Sequence, residues 1–163
     1  MSAALTLDEI LCWSDETTHH WLDFLAAHPE VQQLPCGIYA TANVLGLVRH
    51  IVVVEMRYGQ RLAGLPVTAY EDVPENSLEA LTALHAGTMD RLRAVLADPE
   101  QDWTRQLEFK TLGAGTLSAS QRKIVAHALL HGIRHWAQIA TLARSAGYPP
   151  PFAGDLLISA ALD

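Results

Sequence analysis

Three histidines stand four residues apart in the stretch HALLHGIRHWAQ, at positions 127, 131 and 135. Residues four apart on an α-helix lie on one face, one turn from each other. Either His127 with His131 or His131 with His135 can therefore present two imidazoles to one metal ion, as the pair of an HExxH helix does. The alternative for each is a hydrogen-bonded core histidine, because an unpartnered imidazole is costly to bury.

A helix occupies only one side of a metal ion, so a further ligand is expected from a neighbouring helix. His50 is a candidate because it lies in the apolar run GLVRHIVVVE. His19 and His20 compete with it, with Glu16 one turn before His20, and His85 lies in another helical stretch. The spacing of the residues alone leaves these alternatives open.

Three neutral imidazoles would leave the charge of a divalent ion uncompensated and coordination positions open. Such an ion is a Lewis acid that lowers the pKa of a bound thiol or water. Imidazole suits zinc, nickel, copper and iron, of which we expect zinc or nickel. Gln138 shares the face of the histidine row and Asn43 that of His50, so either could orient an imidazole N–H.

Two charged residues follow His50 along the same stretch. Arg57 falls on the face of His50 and is expected to be solvated or ion-paired. Glu55 falls on a different face, so we expect it to pair with a basic neighbour rather than to act at the metal. No acidic residue lies beside the histidine row, whereas a metal-dependent hydrolase commonly uses a carboxylate as general base, so the row argues against hydrolysis.

The elements that would position these residues are helical. Hydrophobic spacing predicts long helices over four stretches, 5–27, about 40–63, 75–97 and about 119–146. Thr6 with Glu9 predicts a capping box at the first, and Ser118 or Ser120 is expected to cap the last. The Val run at 52–54 permits a strand, but the rhythm around it favours a helix.

The stretch WTRQLEFKTLGAGTLSASQRK alternates apolar and polar residues around a GAG turn, which predicts a short strand or loop excursion. Four long helices with this one interruption predict an all-α, up-and-down four-helix bundle, a single domain over residues 1–163. The apolar tail FAGDLLISAALD is expected to complete the core or to form a subunit interface.

The composition excludes several classes of protein. A net charge of −7 and the lack of a basic block argue against nucleic-acid binding. The sequence has no uninterrupted apolar run of about 18 residues and no basic, secretory-type N-terminus, so we expect neither a membrane partner nor export. Cys12 and Cys36 form no CxxC pair and are expected to be buried, which fits a cytoplasmic location.

Two stretches carry a family resemblance. The run SASQRKIVAHALLHGIRHWAQIATLARSAGYPPP resembles the last long helix of the DinB/YfiT-like metal-binding four-helix bundles, and LGLVRHIVVVEMRYGQRLAG resembles the second. The resemblance implies that His50, His131 and His135 are the metal ligands. It leaves His127 as a core or supporting residue. The sequence departs from the family at Trp136-Ala137, where Arg-Gly is common, so no role is transferred from that arginine.

The resemblance also implies a function. Relatives include enzymes that transfer a low-molecular-weight thiol to an electrophile, so the leading hypothesis is a metal-dependent thiol S-transferase that acts on a small-molecule substrate. The alternatives are a hydrolase in which the same metal activates water, and a non-catalytic metal-binding protein of stress or sensing. The family further implies a homodimer, which the low charged fraction of 18% favours.

Overall fold

The computed structural model describes residues 4–73, 77–111 and 113–161. Four long α-helices and a hairpin dominate these ranges. In chain order the elements are α1 (Leu7–Ala27), a short α2 (Pro29–Gln32), α3 (Val44–Leu62), α4 (Leu78–Ala97), the strands β1 (Gln106–Lys110) and β2 (Thr116–Ser120), and α5 (Gln121–Ser145). The strands pair antiparallel, with Phe109 opposite Leu117. The predicted all-α bundle with a short excursion before its last long helix is confirmed.

The first two long helices begin at polar caps. Thr6 and Glu9 form the predicted capping box at α1, where the backbone N–H of Glu9 donates to the Thr6 hydroxyl at 3.2 Å. Helix α3 begins at Val44, later than predicted, because Asn43 adopts an extended conformation and its Oδ1 accepts from Gly46 N at 2.9 Å. Asn43 is therefore a capping residue, and the idea that it orients an imidazole is wrong.

The later two helices are capped by serines. Ser77 accepts from Ala80 N at the start of α4, whereas the predicted start at 75 lies outside the described residues. Ser120, one of the two predicted candidates, accepts from Lys123 N at 3.3 Å and caps α5. The last residue of β2 is thus the cap of α5, which fixes the hairpin against the helix that carries the histidine row.

Helices α1 and α3 each pack against both α4 and α5. The Val run at 52–54 lies within α3 and is buried, so the strand alternative is wrong. Trp136 of α5 stacks on Trp21 of α1 with ring centroids 5.7 Å apart, and its Nε1 donates to the Thr18 hydroxyl at 3.0 Å. Trp136 therefore anchors the core at the position where the sequence departs from the family pattern.

The C-terminal tail contributes both to the core and to the surface. Phe152 packs edge-on against Trp21, with centroids 5.1 Å apart, whereas Leu157 is 96% exposed and Ile158 is 65% exposed. The expected subunit interface at this tail stays a prediction.

Cys36 is buried as expected, but Cys12 is exposed. Among the described residues, none of the helices combines the length and the apolar character that a membrane span requires.

Candidate metal centre

The structure brings together three of the histidines that the sequence singled out. His50 of α3 faces His131 and His135 of α5, and each ring offers a nitrogen within 4.8 Å of those of the other two. The Nε2 atoms of His131 and His135 are 3.2 Å apart, and the ring of His50 lies 5.0 and 5.1 Å from theirs by centroid. All three side chains are buried. This set of residues is called the histidine cluster below.

The histidine cluster is neutral at pH 7. Burial, together with the nearby His135, Arg134 and Arg49, lowers the pKa of His50 to about 4. Burial and the neighbouring imidazoles lower the pKa of His131 to about 2. Neutral imidazoles have a free lone pair, which is the form that binds a metal ion.

Two ring nitrogens of the histidine cluster have no hydrogen-bond partner among the described residues. These are Nε2 of His50 and Nδ1 of His131, and both atoms are buried. Burying a polar nitrogen without a hydrogen-bond partner costs free energy. A metal ion bound at the cluster would offset this cost for any of these nitrogens that coordinates it. The Nε2 of His135 accepts a hydrogen bond from Nη2 of the exposed Arg134 at 3.2 Å. The donor set and its unsatisfied atoms fit a transition metal.

Gln138 orients one ring of the histidine cluster. Its Oε1 lies 2.6 Å from Nδ1 of His135, which must therefore carry the proton. This hydrogen bond leaves the lone pair of His135 on Nε2, the atom that faces His131. The orienting role that the sequence suggested for Gln138 is confirmed as a contact.

We expect Gln138→Ala to weaken binding of Zn²⁺ by about 10- to 100-fold, the usual effect of losing a hydrogen bond that orients a metal-binding histidine. Competition with a chromophoric chelator measures the affinity. Gln138→Glu is the matched control, because it keeps an acceptor at the same place. Equal affinities for the alanine and glutamate variants would contradict the orienting role.

Tyr39 covers the histidine cluster, and no pattern in the sequence pointed to it. Its ring stacks on His50 at 4.9 Å between centroids and meets the ring of His135 edge-on at 5.5 Å. Tyr39 lies in a 3₁₀ turn between α2 and α3, where its φ is 50° and that of Ala40 is 57°. Such left-handed backbone is uncommon for residues other than glycine, and it places the tyrosine ring over the histidines.

A cavity of about 360 Å³ opens beside the histidine cluster, between α3, α5 and the hairpin. His50 and His131 form part of its wall, so a ligand there would be next to the cluster. His127 also lines the cavity and is exposed, with its ring edge-on to Tyr58 at 5.4 Å, so the interpretation of His127 as a core residue is wrong. Its ring centroid lies 5.5 Å from that of His131, and it does not join the histidine cluster.

The competing histidines lie elsewhere. His85 is buried between two carboxylates, with Nε2 2.9 Å from Oδ1 of Asp15 and Nδ1 3.3 Å from Oε2 of Glu55. The Asp15 carboxylate also accepts from Arg93, and Nδ1 of His19 lies 2.9 Å from the backbone carbonyl oxygen of Asp15. The basic neighbour of Glu55 is His85, so the prediction that Glu55 pairs with a basic residue is confirmed.

Burial opposes protonation of His85, but the hydrogen bonds to Asp15 and Glu55 raise its pKa to about 9. Asp15, Glu55 and His85 thus form an ionic group in which a His85 imidazolium lies between two carboxylates. Its members could also approach one ion, since Asp15, His19 and His85 each offer a ligand atom within 4.8 Å of the others. The direct hydrogen bonds already satisfy them.

The fold and the site together define a class, a helical bundle with a buried three-histidine cluster between its second and fourth long helices, compatible with metal binding. The sequence matches the model of the DinB family over residues 1–158, and the chain belongs to this family. A search among curated proteins finds no significant match.

Proposed function

We propose that the protein is a metal-dependent enzyme of the thiol S-transferase type, which binds zinc or nickel through His50, His131 and His135. The observation that carries the proposal is the convergence of three buried, neutral imidazoles from two helices, two of which, His50 and His131, line a cavity. Membership of the DinB family supports a metal at this place. Three neutral ligands would leave the ion its full charge and open coordination positions.

An ion bound here would supply a Lewis acid that lowers the pKa of a thiol at its open position. The protein contributes position and shielding. Gln138 fixes the tautomer of His135, and the ring of Tyr39 stacks on that of His50. In the transfer, the sulfur of the thiol loses its proton and bonds to an electrophilic carbon of the second substrate, while the leaving group takes the electron pair of the broken bond.

Hydrolysis is less well supported than transfer. A hydrolase of this kind commonly uses a carboxylate as general base, and no Asp or Glu lines the cavity among the residues that the structure describes. Glu55, which lies five residues after His50 on α3, is engaged by His85 instead. The cavity therefore favours a substrate that brings its own nucleophile, such as a thiol.

The metal is tested by elemental analysis of the purified protein and by titration with Zn²⁺ and Ni²⁺. We expect about one ion per chain for the wild type, and for His131→Ala a loss of affinity larger than the about 10- to 100-fold typical of a supporting residue. His19→Ala is the matched control, since His19 belongs to the other histidine group. Retention of the ion by His131→Ala, or its loss in His19→Ala, would refute the ligand assignment.

The reaction is tested separately on the metal-loaded protein. A panel of low-molecular-weight thiols with an alkylating electrophile should give conjugation that a chelator abolishes and added metal restores. Metal-dependent ester hydrolysis without any conjugation would show that the transferase assignment is wrong while the metal centre stands.

A further inference from the structure

The charged residues around the cavity all have one sign. Arg57, Arg61, Lys110 and Arg134 line it from α3, β1 and α5, and no acidic residue of the described ranges joins them. The chain as a whole has a net charge of −7, with 11 lysines and arginines against 18 acidic residues. A basic cavity in an acidic protein creates a local positive potential, which attracts anions.

Arg61 packs against two aromatic rings, and none of the described residues accepts a hydrogen bond from its N–H groups. Its guanidinium carbon lies 5.4 Å from the ring centroid of Tyr58 and 5.0 Å from that of Phe109. Within residues 4–73, 77–111 and 113–161 its side chain makes no hydrogen bond or ion pair. Burial and the proximity of Arg57 lower the pKa of Arg61, which reflects the cost of a second cation here. A guanidinium that is stacked and unpaired is suited to bind a carboxylate or phosphate.

Arg57 stands one turn before Arg61 on the same face of α3, so the two cations repel each other. Its Nη1 donates to the carbonyl oxygen of Thr68 at 2.7 Å, which holds the side chain beside the cavity without neutralising its charge. Arg57 is predicted from the sequence to be solvated or ion-paired, and in the structure it is partly exposed and donates to a neutral backbone oxygen. An anion between the two guanidinium groups would offset their repulsion.

The arginines lie along α3 from the histidine cluster. With a rise of about 1.5 Å per residue, the Cα of Arg57 is about 10 Å and that of Arg61 about 16 Å from the Cα of His50. A ligand can therefore contact the arginines with its anionic group and the histidines with its other end only if it is several bonds long. A cavity of about 360 Å³ accommodates a molecule of that size.

We propose that the cavity binds a small organic oxyanion, a carboxylate or phosphate ester, with its anionic group held by Arg57 and Arg61 and its other end at His50 and His131. The placement of a reacting group at the histidines rests on the proposed function, whereas the binding of the anion does not. Lys110 and Arg134 stand at the same cavity and add to its attraction for the anion.

The test uses hexanoate, hexyl phosphate and hexanol as probes, titrated by calorimetry or NMR into the full-length protein, metal-free and zinc-loaded. We expect the better of the two anions to bind about tenfold or more tightly than hexanol, and the difference to shrink as salt is added. The stronger anion identifies the preferred group. If neither anion binds more tightly than hexanol, the proposal is wrong.

The double variant Arg57→Gln/Arg61→Gln should lose the preference for the anion while its affinity for hexanol is unchanged, which shows that the cavity is intact. Arg122→Gln is the control, because Arg122 is exposed on α5 and does not line the cavity. A preference that survives in the double variant overturns the assignment to these arginines.

The two metal states separate the two proposals. Anion preference in a protein that binds neither zinc nor nickel supports this inference and refutes the proposed function. Zinc binding without anion preference supports the metal centre of the proposed function and refutes this inference.

Discussion

Gly132→Ala is expected to destabilise the protein by about 2–3 kcal/mol, near the upper end of the usual cost of overpacking a core. A Cβ at Gly132 would lie 2.6 Å from Oε1 of Glu55 and 3.3 Å from Cγ2 of Ile51. Neither neighbour can move cheaply, because Ile51 is completely buried and Glu55 is completely buried and bonded to His85. Helices α3 and α5 would have to separate at this point.

Gly87→Ala is the matched control for this prediction. Gly87 lies within α4, is exposed, and has no atom within 4 Å of an added Cβ. Alanine should therefore stabilise the helix by about 1 kcal/mol through its higher helix propensity. Urea denaturation, followed by circular dichroism, measures both changes. A gain in stability for Gly132→Ala similar to that for Gly87→Ala would show that the helices are not in close contact at Gly132.

The close approach at Gly132 also bears on the histidine cluster. Gly132 follows His131 directly, so the contact between its backbone and α3 lies beside the place where His131 meets His50. Separation of the two helices would move these rings apart. Gly132→Ala should therefore weaken zinc binding as well as the fold, which Gly87→Ala should not.

The sequence was sufficient for the parts of the site that depend on helical spacing. His131 and His135 share a face because they are four residues apart, and His50 stood out because its neighbours are apolar. Those patterns are local and need no knowledge of the partner helix. Spacing alone could not choose between His50 and the competing His85, since that choice depends on how α3 and α4 are rotated against α5.

Other features could not be predicted, because they depend on contacts between distant segments. Tyr39 comes from a 3₁₀ turn without periodicity, and Lys110 from a hairpin whose position against α3 no local pattern specifies. The same holds for the ionic group of the core. Asp15, Glu55 and His85 come from three different helices, and each looked like a separate polar residue in the sequence.

His85→Leu is expected to destabilise the protein by about 3–5 kcal/mol, because it removes the cation from a buried carboxylate. Glu55 has no solvent exposure, and among the described residues its Oε1 has no hydrogen-bond partner and its Oε2 bonds only to His85. Glu55→Leu/His85→Leu should be more stable than His85→Leu alone, since an apolar pair leaves no buried charge. A double-mutant cycle of unfolding free energies measures this coupling. Additive effects would contradict it.

The pH dependence of stability provides an independent measure of the same ionic group. The pKa of His85 is raised to about 9 in the folded protein from an ordinary value of 6.5, because its hydrogen bonds to Asp15 and Glu55 outweigh its burial. A raised pKa means that the folded state holds its proton more tightly, so this stabilisation is complete below pH 6.5 and is lost as the pH rises towards 9.

Unfolding of the metal-free protein should therefore become easier between pH 6.5 and 9 in the wild type. The lowered pKa of His50, about 4, affects stability only below pH 6.5, because above it the ring is neutral in both states. The histidine cluster thus contributes no slope in this range, and Glu55→Leu/His85→Leu should show a flat profile. If the double variant instead keeps the slope of the wild type, the imidazolium between Asp15 and Glu55 is not its source, and the core of the bundle is held without a buried ion pair.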